Sequence, residues 1–89
     1  MYFFRSAIVI MLRTPTLHQL REIDALVGQI RSRQLMLSAF GPDNELSANR
    51  RREKEMQKHT LQSMINYLRV LVQDFDIIPH SAAAILNSA

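Results

Sequence analysis

One break constrains this chain more than any other feature. Gly41-Pro42-Asp43-Asn44 stands between two long stretches whose apolar residues recur at helical spacing. Two further punctuation points, Thr14-Pro15 and Ile78-Pro79, frame those stretches. Thr14 offers an N-cap oxygen, and Pro15 at the first helical position gives up an N–H that would have no partner anyway. The spacing predicts a first helix over 15–40, in which Leu20, Ile23, Leu26, Val27, Ile30 and Leu37 share one stripe. The series 20, 23, 27, 30, 34, 37 is heptad-like, with Gln34 as its one polar member. Gly41 then Pro42 ends it, as a left-handed cap followed by a residue that cannot continue a helix.

A second helix is predicted over about 45–75. Leu61, Met64, Ile65, Leu68, Leu71, Val72 and Phe75 share a face in its second half. Carried backwards, the same stripe meets Arg50, Glu53, Lys54 and Gln57 before Leu46 restores it. After Pro79, the Ala-rich stretch from His80 to Leu86 favours one or two further turns. A short loop between two long helices implies an antiparallel hairpin with arms of about 37 and 45 Å.

The expected fold class is therefore all-α: an antiparallel hairpin (15–40 and 45–75) with a short C-terminal helix, within a domain spanning 14–89. Residues 1–13 are expected to be an apolar N-terminal arm, rich in aromatic and β-branched residues, which reads as extended or strand by propensity, although periodicity does not separate that from a short buried helix. With 89 residues the core is thin. Dimerisation into a four-helix bundle is the expected remedy, in preference to closure by residues 2–12 and 80–89 folding back. The intramolecular seam is expected at Leu20, Ile23, Val27, Ile30, Leu61, Met64, Leu68, Leu71 and Phe75. Leu17, Leu35, Met36, Phe40, Ile65, Tyr67 and Val72 are the expected partner-facing residues.

The chain holds no cysteine, which excludes disulfides, thiolate metal sites and a cysteine nucleophile. No apolar run approaches the roughly 20 residues that span a bilayer, and no secretory signal is evident, so a cytoplasmic protein is expected. The net charge is +3. Arg31, Arg33, Arg50, Arg51, Arg52, Lys54 and Lys58 gather toward one end of the hairpin and are candidate contacts for an anion or nucleic acid. Consecutive arginines on a helix point about 100° apart, however, and acids are interleaved, as on a solvated helix. Gln34 falls roughly opposite Glu53, so that Gln34 with Arg50, Glu53, Lys54 and Gln57 makes a polar layer, a small anion pocket, or an end of the hairpin open to water. Exposure is the simplest of the three.

His18 with Glu22, and Glu55 with His59, have the spacing of surface charge pairs, and the two sets do not converge. No Gly-rich phosphate loop and no Ser-His-acid arrangement appear. Leu20-Arg21-Glu22-Ile23-Asp24-Ala25-Leu26 resembles the opening of the all-helical chorismate mutases, and Arg52-Glu53 resembles their second-helix Arg-Glu pair. The resemblance implies a small helical enzyme. It departs from that family in three ways: the step from Arg21 to Ile23-Asp24 is one residue short, no Lys ends the first helix, and no third helix brings a Gln. The expected function is accordingly a non-catalytic protein-interaction module without cofactor or metal, binding a partner protein or itself. A nucleic-acid-associated regulator using Arg50–Lys58 is the rival.

Overall fold

The computed structural model describes residues 12–88. It contains α1 (Leu17–Ser38), a 3-10 turn (Asp43–Glu45), α2 (Ala48–Val72) and α3 (His80–Ser88). No strand occurs among the described residues, and the all-α expectation holds. The arm expected over 1–13 lies outside them except for Leu12 and Arg13.

Helix α1 begins two residues later than the Thr14-Pro15 signal predicts. Thr16 is the N-cap: its hydroxyl accepts from the Gln19 N–H at 3.2 Å, while the Gln19 side chain accepts from the Thr16 N–H at 2.8 Å. This reciprocal box satisfies two N–H groups. Thr14 cannot make it, because Leu17 stands three residues on. The helix closes at Ser38, two residues short of Phe40, and Gly41 follows at φ 78°, the left-handed region that suits glycine. Ser47 caps α2 by accepting from the Arg50 N–H at 3.2 Å. The α2 helix stops at Val72 instead of Phe75, yet Phe75 still packs on the core. Helix α3 runs for nine residues, longer than expected, and the Pro79 carbonyl accepts from the Ala83 N–H at 3.1 Å.

The first two helices are antiparallel. Tyr67 of α2 donates to Glu22 of α1 at 3.3 Å, and Arg33 of α1 donates to Gln57 of α2. Position 33 therefore stands beside 57. The sequence-based register, with Gln34 opposite Glu53, is off by about one turn.

The core consists of Ile23, Val27 and Ile30 from α1, Ile65, Leu68 and Val72 from α2, and Ala82 and Ile85 from α3. It occupies only the end of the hairpin where α1 begins and α2 ends. Of the expected seam, Ile23, Val27, Ile30 and Leu68 are buried, whereas Leu20, Leu61, Met64, Leu71 and Phe75 are half-buried.

Ile65 and Val72, expected to face a partner, are each 6% exposed. The reason is α3. At 100° per residue, Val27, Ile65 and Val72 lie on one flank of the α1–α2 seam, while Leu26, Met64 and Leu71 lie on the other. The first three are buried and the second three only half-buried, so α3 covers the first flank with Ala82 and Ile85. The C-terminal residues thus supply within one chain part of the closure expected from dimerisation.

Candidate functional site

Beyond Ile30 and before Leu61 the hairpin has no buried side chain. This distal half is held by polar contacts around the loop. The Lys54 ammonium donates to the Asp43 carboxylate at 2.7 Å and to the Gly41 carbonyl at 2.9 Å, tying α2 to the turn. The Lys54 side chain is only 16% exposed, its methylenes lying along the helix while its charge reaches the loop. Beside it, the Arg50 guanidinium lies 4.4 Å from the centre of the Phe40 ring and pairs with Glu53 at 2.8 Å. Phe40, expected to face a partner, is instead half-buried beneath that cation.

Most of the candidate anion-binding residues therefore have partners inside the chain. Arg51 donates to the Leu46 carbonyl at 3.1 Å, Lys58 pairs with Glu55 at 3.3 Å, and Arg33 reaches Gln57. Arg31 and Arg52 are exposed with no polar partner among the described residues. The hydrogen bond and charge of Lys54 hold the Asp43 carboxyl below its ordinary value of 3.8, against slight desolvation. A lowered carboxyl contributes to loop stability fully above 3.8, and loses that contribution as pH falls through the folded-state value. Lys54→Met should return the Asp43 midpoint toward 3.8, as followed by a carboxyl NMR titration. An unchanged midpoint would show that the clamp does not form.

The polar line does not make a buried layer. Gln34, Arg50 and Glu53 are exposed, and no polar or charged side chain is buried among the described residues. Glu22 and Glu55 are engaged by Tyr67 and Lys58, so the expected pairs with His18 and His59 are not the ones formed. No group of three or more His, Asp or Glu side chains that would hold a metal is found among the described residues. Arg21 and Asp24 lie near the start of α1, whereas Arg52 belongs to the far end of the hairpin, so those residues are not gathered. No described helix is long and apolar enough to cross a membrane.

What the distal half does present is apolar. Leu35 is 71% exposed, Met36 51% and Met56 70%. With 33 beside 57, these three residues fall at one level of the hairpin. Leu35 and Met36 were legible in the sequence as lying off the seam. Met56 was not singled out, although it is the one large apolar residue between Leu46 and Leu61. Leu17 and Tyr67 are exposed as expected, but they belong to the proximal half. On the outer side of α1, Ala25, Gly28, Gln29, Ser32, Arg33 and Met36 line an open groove. Among the described residues nothing lies within 4 Å of where a Cβ on Gly28 would stand, so no contact with them requires that glycine. No family model, curated protein or solved structure matches the chain.

Proposed function

We propose that this chain is a non-catalytic helical interaction module that associates through the distal half of its hairpin. The proposed partner is a second copy, which completes a four-helix bundle there. The observation that carries this reading is the level formed by Leu35, Met36 and Met56, at least half exposed in a region with no buried side chain. Short helical segments without tertiary packing are marginal in water. Burying each of these side chains contributes about 1.5–3 kcal/mol, and two of the three are thioethers that adapt to whatever surface they meet. The rival, phosphate binding along Arg50–Lys58, is less favoured because Arg50, Arg51, Lys54 and Lys58 already have partners within the chain.

Light scattering from micromolar to several hundred micromolar protein tests the proposal. The mass should rise to that of a dimer with little dependence on salt, and Leu35→Ser with Met36→Ser should shift the midpoint at least tenfold upward. A monomer throughout that range contradicts it. So does a mass that changes on neutralising Arg50–Arg52 but not on the serine substitutions.

A further inference from the structure

At 100° per residue, His18, Ala25, Gly28, Ser32, Leu35 and Met36 lie on the side of α1 turned away from the buried Ile23, Val27 and Ile30, and all six are exposed. The middle of this outer face is small: Ala25, Gly28 and Ser32 line the open groove. Its two ends are apolar. Leu17 is 66% exposed where the helix begins, and Leu35 and Met36 are 71% and 51% exposed near its close. Along one edge stand Asp24 and Arg31, about 10 Å apart on the helix axis. Both are exposed, and neither pairs with another side chain among the described residues.

This face is complementary to its own reverse. With two α1 helices antiparallel about a twofold axis between Ala25 and Gly28, Ala25 of each copy meets the partner's Gly28, where small residues let the helix axes come close. Leu17 then lies level with the partner's Leu35, His18 with the partner's Met36, and Asp24 with the partner's Arg31 on the same edge. The twofold axis makes each contact twice. A parallel pairing would instead set Asp24 against Gln29 and Arg31 against Met36, matching no charge. We propose that a second copy docks on this face, α1 against α1 in antiparallel order, so that the distal half of one α1 lies along the proximal half of the other. This arrangement rests on the reading that the partner is a second copy, and gives that copy a surface and a direction. The apolar ends supply the affinity, while Asp24 and Arg31 set the direction, as charges at the rim of an interface do. It also uses Gly28, a residue that weakens a helix interior and that no described neighbour requires.

Charge reversal on the full chain tests it, with mass followed by light scattering at low salt. Asp24→Arg and Arg31→Asp should each raise the dimer midpoint about tenfold, since each sets like charges at both contacts. An equimolar mixture of the two variants should return close to the original midpoint, because each carries the charge the other lacks. Such rescue has no source within one chain, where these two side chains do not meet. Both positions are exposed, so the helical circular dichroism of each variant should match the original. Weakening without rescue overturns the antiparallel pairing. So does a dimer that weakens with Leu35→Ser and Met36→Ser but ignores both reversals, and that result leaves the second copy standing as the partner. A monomer at every concentration removes the second copy, and this pairing with it.

Discussion

Leu68→Ala should lower stability by about 3 kcal/mol, the middle of the range for removing a buried leucine side chain. Leu68 is fully buried. It stands on the α2 face between the two flanks, where α1 packs on it and Ile65 and Val72 flank it. Truncation there leaves a void that no single helix can fill by moving. A domain of this size with eight buried hydrophobic residues among those described belongs at the lower end of ordinary stability, about 5 kcal/mol, so more than half is at stake. Urea unfolding followed by circular dichroism reads the loss as a fall in midpoint at unchanged slope. Leu61→Ala, at a half-buried position one turn beyond the core, should cost about 1 kcal/mol by proportionate area. Equal losses at the two positions would mean that the core extends further along the hairpin than Ile30 and Leu61.

Ala82→Glu should detach α3. Ala82 has no exposed surface, and with Ile85 and Leu86 it forms the one face by which this nine-residue helix docks. A glutamate there would need volume the interface lacks, and would bury a carboxylate with no partner, which costs about 3 kcal/mol or more. The chain can avoid that cost by releasing α3, so the loss is limited to the docking energy of the helix. Released, a segment this short does not stay helical in water. The expected signature is loss of amide protection over 80–88, together with shifted methyl resonances at Val27, Ile65 and Val72. Resonances of Leu26 and Met64, on the opposite flank, should move much less. Retention of α3 protection in this variant would contradict the assignment of α3 to that flank.

The sequence carried the helices because their signals are local. The break at Gly41-Pro42 and the apolar spacing from Ile23 to Ile30 each act within a few residues. Boundaries slipped where two local signals competed, as when Thr16 with Gln19 outcompeted Thr14 with Pro15. The partner-facing residues divided on a different principle. Leu17, Leu35 and Met36 are exposed because no other helix of the described chain covers them, and Tyr67 is held only at its hydroxyl, by Glu22, with its ring left half open to water. Ile65 and Val72 are buried because α3 returns to them, and periodicity within α2 carries no information about where residues 80–88 go. The basic segment was visible by composition, but its use was not. That Lys54 closes the loop onto Asp43 and Gly41 depends on a turn whose geometry only the folded chain defines.

Residue-resolved amide hydrogen exchange at two protein concentrations tests the central claim, that the packed core sits at one end and the distal half depends on association. At low concentration the amides of Ile23, Val27, Ile30, Leu68 and Val72 should exchange slowest, near the rate of global unfolding, with those of 31–38 and 50–60 exchanging much faster by local opening. Raising the concentration should slow the distal amides and leave the core amides nearly unchanged. Uniform protection along α1 and α2 at low concentration, or distal exchange that ignores concentration, would contradict the account.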